Sequence, residues 1–365
     1  MALGKKIRVL IVEDSAFMRK ALREMLETDP LIEVLPPGRD GKDGLQKARE
    51  LKPDVITMDI NMPEMDGLTC LQHINHEGIA PVIMVSSLTQ EGAVTTFEAL
   101  ELGAFDFIPK PSGTISFNIK KATLELLSKI KSAAKMGILQ KLKSKLDREK
   151  LVPSPRASTK QVSEARSSLS HSSFVTKAIA LGISTGGPKT LSDVISSLPG
   201  EIGAPFFMVQ HMPETFTASF AARLNSIARF PVKEVASGDI VQRNHGYLAK
   251  GGQHLLLRKK NNGEIMIRLA STPENLFVPS VGVMMDSVLE VFGRKMVAVM
   301  MTGMGDDGAD SMLRVRQAGG ITIAESEETA IVFGMPKEAI DRGGVEIVAP
   351  SYDIPEKIMS AIKKL

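Results

Sequence analysis

The sequence predicts an α/β protein of two doubly wound parallel-sheet domains joined by a flexible linker. Three observations carry this reading. Apolar, β-branched runs alternate with helix-length segments in both halves of the chain. A polar stretch rich in Ser and Pro, through 152–173, separates the halves. The chain has 365 residues, 43% of them hydrophobic, enough for two cores. The formal net charge is only +3, so no nucleic-acid footprint is visible. Met-Ala-Leu-Gly-Lys-Lys runs directly into a strand-like segment without the apolar region of a signal peptide, and no apolar run reaches membrane-spanning length. A single cysteine, Cys70, precludes an internal disulfide. A cytoplasmic protein without membrane insertion is expected.

In the first half, residues 7–12 form an apolar run broken only by Arg8, then Glu13-Asp14-Ser15 and a helical pattern through Leu26. This is a buried parallel strand feeding a helix. Similar runs recur at 55–58, 82–85 and 105–108. The second strand region reads Val34-Leu35-Pro36-Pro37-Gly38, and its prolines cannot donate to a ladder, so that strand ends early. Functional groups gather beyond the carboxyl ends of such strands, here Glu13 and Asp14, Asp59, Ser86 and Ser87, and Lys110. Clustered carboxylates repel unless a cation sits among them, and hard oxygen ligands suit Mg²⁺. A carboxylate beside Mg²⁺, a hydroxyl and an ammonium is equipped to accept a phosphoryl group. Cys70, His73 and His76 stand at three-residue steps, but a zinc site wants a fourth group or a water plus partners that hold the ligands in turn, and Glu77-Gly78 ends that helix, so a metal there is disfavoured.

Glu13-Asp14, the string MDINMPEMDG around Asp59, VSS at 85–87 and PKP at 109–111 resemble a response-regulator receiver domain, a flavodoxin-like fold. The resemblance implies Asp59 as phosphoacceptor, and Glu13, Asp14, Asp59 and the backbone carbonyl of Asn61 around Mg²⁺. It further implies Lys110 on the phosphate, Ser86 as the switch hydroxyl and Phe107 as the aromatic that changes rotamer on activation.

Residues 119–150 read as a helix, first amphipathic and then Lys-rich, with the basic run a solvated helix end. Beyond it Val152-Pro153-Ser154-Pro155 opens the linker. The expected boundaries are 5–130 for the first domain, 131–175 for a helical and then Ser/Pro-rich linker, and 176–365 for the second domain.

In the second half, strands are expected at 178–183, 205–210, 296–301, 320–324 and 345–348. The first runs into Gly182-Ile183-Ser184-Thr185-Gly186-Gly187-Pro188, a Gly-rich strand-to-helix turn that presents a hydroxyl beside the positive end of the next helix. The loops after the next strands in this set carry Gln210-His211-Met212-Pro213 and Thr302-Gly303-Met304-Gly305-Asp306-Asp307-Gly308. A parallel sheet brings these ends to one edge. There His211 is of the right type to activate Ser184, and Asp307 to orient the imidazole. The order Ser, His, Asp differs from that of α/β-hydrolases. His245 and His254 are rival bases, read as structural residues flanking a hairpin-like segment.

GISTGG, QHMP, SGD, YLAKGG and MTGMGDDGA resemble the catalytic domain of the chemotaxis protein-glutamate methylesterases, the CheB family, with a Rossmann-like sheet. This implies Ser184 as nucleophile, His211 as general base and Asp307 as orienting acid, with the backbone N–H groups of Thr185 and Met304 as oxyanion donors. It also implies hydrolysis of glutamate γ-methyl esters on chemoreceptor cytoplasmic helices, with possible glutamine deamidation. The expected partners are methylated chemoreceptors as substrate and a chemotaxis-type histidine kinase as phosphodonor. The esterase reaction itself would need no cofactor, and the unphosphorylated receiver would cover the active site. Where the family often reads Arg-Pro-Ser-Val-Asp, this chain has Val278-Pro279-Ser280-Val281-Gly282, losing a charged pair. That departure motivates an alternative, a two-component docking regulator with a methylesterase-like fold that acts on a different partner or has little catalysis. A transcriptional regulator is disfavoured because no basic recognition helix follows the linker.

Overall fold

The computed structural model of the chain describes residues 6–110, 116–147 and 175–365. The Ser/Pro-rich part of the expected linker lies outside these residues.

The first unit runs β1 (Ile7–Val12), α1 (Ala16–Glu27), β2 (Ile32–Val34), α2 (Gly41–Leu51), β3 (Val55–Asp59), α3 (Gly67–His76), β4 (Val82–Ser86), α4 (Gln90–Glu101), β5 (Asp106–Pro109) and α5 (Ser116–Asp147). Its sheet has the order β2-β1-β3-β4-β5, parallel throughout. Both faces of the central strands are buried because their side chains alternate between two cores. Leu10 and Val12 pack toward Leu45, Leu71 and Phe97 of α2, α3 and α4, whereas Val9 and Ile11 pack toward Leu26 and Ile130 of α1 and α5. β2 stops at Val34, ahead of the prolines. Short polar side chains start the helices: Ser15, Asp40, Asp66 and Thr89 each accept a backbone N–H of the first turn. α5 passes through residue 131 without a break, so the helical part of the expected linker continues the first unit's last helix.

The second unit contains β6 (Ala178–Ile183), α6 (Gly187–Ser197), β7 (Phe206–Gln210), α7 (Glu214–Ile227), β8 (Val232–Glu234), β9 (Gly246–Leu248), β10 (His254–Lys259) and β11 (Ile265–Ala270). It continues with α8 (Val281–Phe292), β12 (Met296–Met300), α9 (Ala309–Gln317), β13 (Ile321–Glu325), α10 (Met335–Asp341), β14 (Ile347–Ala349) and α11 (Ile354–Lys364). The main sheet has the order β14-β13-β12-β6-β7-β9-β8 and is parallel throughout. The order reverses between β6 and β12, which makes their carboxyl ends the crevice of the fold. α6, α7 and α11 cover one face, and α8, α9 and α10 the other. The hairpin expected around His245 and His254 is only half present. β10 and β11 pair antiparallel and hold His254, whereas His245 precedes β9, which lies parallel between β7 and β8.

The units meet through α4, β5 and α5. Phe97 stacks on Phe220 at 5.2 Å and meets Phe216 edge-on, and Phe107 stacks on Phe216 at 4.6 Å. Glu101 and Arg223 form an ion pair beside them.

Candidate functional site

Ser184 follows β6 directly. Its N–H donates to the Thr302 carbonyl at 2.9 Å, and its own carbonyl accepts from Gly187 N–H and from the buried Gln210 amide. Gly186 turns the chain at φ 74°, a region other residues avoid. Gly303 lets the neighbouring strand end approach: a Cβ there would lie 2.8 Å from the Ser184 Cβ. The Ser184 hydroxyl is 3.1 Å from His211 Nδ1, and His211 Nε2 is 2.8 Å from Asp307 Oδ2. The structure thus brings Ser184, His211 and Asp307 into one hydrogen-bonded line, with only 8% of the imidazole and of the carboxylate side chain exposed. The adjacent Asp306 points the other way, to Arg342 at 2.6 Å.

Asp307 sits in a cradle built by the start of α8. Ser280 donates its hydroxyl to Oδ1 at 2.6 Å, and the N–H groups of Val281 and Gly282 donate at 2.7 and 3.1 Å. Burial alone pushes this carboxyl up, but the donors from His211, Ser280 and Val281 outweigh it and hold the group below the usual carboxylate range. Ser280 is itself held by His254, whose Nδ1 accepts the Ser280 N–H at 3.1 Å while Nε2 donates to the Pro273 carbonyl. His254 is fully buried, and His245 bonds only the Arg243 carbonyl. Phe277 lies flat on the His211 ring, 4.2 Å between centroids and 5° between planes. Neither Ser280 nor Phe277 was expected here. Ser280 is signalled only as a helix cap before an apolar run, and Phe277 carries no local signal.

Among the described residues, the N–H groups of Thr185 and Met304 donate to no protein acceptor, whereas Gly186 N–H donates to Asp106 of the first unit at 3.2 Å. Asp106 is buried with Lys129 of α5, which also bonds the Phe107 carbonyl. Met304 touches Ser128 of the same helix.

At the carboxyl edge of the first sheet, Glu13, Asp14 and Asp59 offer oxygens within 4.8 Å of one another. Lys110 reaches Asp59 at 2.8 Å and Glu13 at 3.3 Å. Burial and the Asp59 charge push Glu13 up to about 7, and the three carboxylates here meet one ammonium. The Ser86 hydroxyl is turned toward α4, bonding Thr96 at 2.7 Å and the Gly92 carbonyl at 3.2 Å. Phe107 is buried against Phe216. Asn61 stands exposed just beyond β3. Cys70 is buried and bonds the Gly41 carbonyl, while His73 and His76 are exposed, so these residues do not converge.

The family model described as CheB methylesterase matches residues 179–358, and that of the response regulator receiver domain matches residues 9–118. The chain is 52% identical over 361 residues to the protein-glutamate methylesterase/protein-glutamine glutaminase 3 of Syntrophomonas wolfei, covering 98% of this chain and 100% of that one. A similar protein of Carboxydothermus hydrogenoformans, named protein-glutamate methylesterase/protein-glutamine glutaminase 2, is 49% identical over 98% of this chain and 99% of its own. Among solved structures, the CheB methylesterase catalytic domain of Thermotoga maritima is 41% identical, covers 50% of this chain and 97% of that one, and gives a TM-score of 0.49. With relatives matched end to end and both units accounted for in one polypeptide, the chain belongs to the CheB methylesterase family that carries its own response regulator receiver domain.

Proposed function

We propose that the chain is a phosphorylation-activated protein-glutamate methylesterase that removes methyl groups from glutamate γ-methyl esters on chemoreceptors. The observation that carries this reading is the line from Ser184 through His211 to Asp307 at the crevice of the parallel sheet. Ser184 Oγ attacks the ester carbonyl as His211 takes its proton at Nδ1, and Asp307 stabilises the charged imidazole. The oxyanion faces the free N–H groups of Thr185 and Met304. His211 returns the proton to the departing methoxide, methanol leaves, and Ser184 carries a γ-glutamyl ester. Water, deprotonated by His211, attacks that ester and releases the glutamate carboxylate and Ser184. A glutamine side chain follows the same course with ammonia as leaving group.

Asp59 is the proposed phosphoacceptor, taking the phosphoryl group from a histidine kinase, with Lys110 neutralising the charge. Glu13, Asp14, Asp59 and the Asn61 carbonyl would hold Mg²⁺. Crowded carboxylates with Glu13 pushed up to about 7 fit a divalent cation. The cation supplies charge neutralisation on the transferred phosphoryl group. Phe107 on Phe216, and Asp106 on Gly186 N–H, support a receiver that sits across the nucleophile turn until Ser86 and β5 respond to phosphorylation. The boundaries proposed with this reading are 5–130, 131–175 and 176–365, the helical start of the middle segment packing on the first unit through Lys131, Ala133 and Ala134. The change at 278–282 still leaves Ser280, Val281 and Gly282 around Asp307, so it supplies no reason to prefer the docking alternative.

Methanol release from methylated chemoreceptor membranes by the parent and by Ser184→Ala tests the chemistry. Release that falls by about 10³-fold or more in the variant is expected; equal release would refute it.

A further inference from the structure

Behind the nucleophile turn lies a carboxylate that the chemistry above does not use. Glu325, the last residue of β13, is fully buried. Among the described residues no Lys, Arg or His forms an ion pair with it. Its Oε2 accepts the Thr302 N–H at 2.8 Å, and its Oε1 accepts the Thr329 hydroxyl at 2.9 Å. Burial outweighs these bonds and pushes the carboxyl above the usual range. A buried carboxylate without a cation costs stability, so its place here calls for a reason.

Thr302 is where this group reaches the site. Its carbonyl accepts the Ser184 N–H at 2.9 Å, and its hydroxyl donates to the Thr185 carbonyl at 2.9 Å and accepts the Val332 N–H at 2.9 Å. β12 and β13 pair as far as Met300 and Ala324, and beyond that point the Glu325 side chain takes over the ladder. The peptide that leaves Thr302 leads through Gly303 to Met304. A shift of Thr302 therefore moves the nucleophile and both proposed oxyanion donors relative to one another.

We infer that Glu325 is a positioning residue for the hydrolysis, acting through Thr302 to set the Ser184 hydroxyl against the Thr185 and Met304 N–H groups. This rests on the function proposed above. The role is geometric: glutamine keeps the acceptor for Thr302 N–H, and alanine removes it.

The test is methanol release by the full chain, with phosphodonor and Mg²⁺, for the parent and the Ser184→Ala, Glu325→Ala, Glu325→Gln and Thr329→Val variants. Thermal unfolding is followed alongside. Glu325→Ala is expected to lower kcat about 10- to 100-fold with KM within about twofold, the pattern of a lost alignment in the transition state. Glu325→Gln should stay within about threefold of the parent, and Thr329→Val, which frees one carboxylate oxygen, should lose about threefold in kcat. Parental kcat in Glu325→Ala, a change confined to KM, or a Glu325→Gln variant as impaired as Glu325→Ala would overturn the inference. If Glu325→Ala does not fold, parental kcat in Thr329→Val overturns it instead. Release from the parent that does not depend on Ser184 would sink the proposed function and this inference with it. Ser184-dependent release with parental Glu325→Ala sinks the inference alone.

Discussion

Glu13 and Asp59 at the receiver's sheet edge share Lys110 as their cation, and Glu13 is pushed up to about 7. At the esterase's sheet edge Asp307 is ringed by His211, Ser280, Val281 and Gly282, and stays below the usual range although it too is buried. Both carboxylate sites follow from strands of a parallel sheet. The first sets three carboxylates against one ammonium and suits its proposed role of taking up a cation and a phosphoryl group. The second has its carboxylate oxygens filled by hydrogen-bond donors and suits the role proposed for Asp307, holding the imidazole in place.

Replacing Asp307 breaks the second site most severely. Asp307→Asn puts an amide against donors that all need an acceptor, and methanol release should fall by about 10³- to 10⁴-fold while circular dichroism keeps its parental form. Removing a single donor sharpens the same point. Ser280→Ala should lower kcat about tenfold and stability at neutral pH by about 2 kcal/mol, the worth of a hydrogen bond to a charged group. The sign with pH follows from linkage. Asp307 has its folded pKa depressed, so its contribution is fully present above the unfolded value of 3.8 and is lost as pH falls through the folded value. Denaturant titrations of parent and Ser280→Ala should therefore differ most near neutrality and converge in acid; a gap that widens in acid would contradict the assignment.

Smaller effects probe the contact between the two edges. Phe97→Ala removes a ring that stacks on Phe220 and abuts Phe216. Release without phosphodonor should rise about three- to tenfold, in keeping with an aromatic contact worth roughly 1 kcal/mol. Arg223→Ala breaks only the exposed pair with Glu101 and should change the same rate by less than about twofold.

What the sequence shows of these sites depends on how locally each group is specified. Ser184, His211, Asp59 and Lys110 stand at or just beyond strand ends, and Asp307 in the loop from β12 to α9; apolar runs mark those ends, so a parallel sheet brings each set to one edge. Ser280 reads as a helix cap, but its bond to Asp307 spans 27 residues and depends on how α8 docks. Glu325 points at Thr302 only because β13 lies beside β12 in one register. Phe277 reaches His211 from a loop with no periodic pattern. The misread hairpin near His245 has a similar origin. β9 is a three-residue strand, and whether it runs parallel or antiparallel is decided by Phe206–Gln210 and Val232–Glu234, not by its own residues. The direction of the Ser86 hydroxyl, toward Thr96 and the Gly92 carbonyl, is likewise a property of packing against α4.

The proposed coupling of the two edges is tested most directly by methanol release from methylated chemoreceptor membranes, with and without a small-molecule phosphodonor and Mg²⁺, using the parent, Asp59→Ala and Ser184→Ala. The predicted result is release that rises with phosphodonor in the parent, stays at the basal rate in Asp59→Ala and vanishes in Ser184→Ala. Release that rises equally in Asp59→Ala, or that persists without Ser184, would contradict the account.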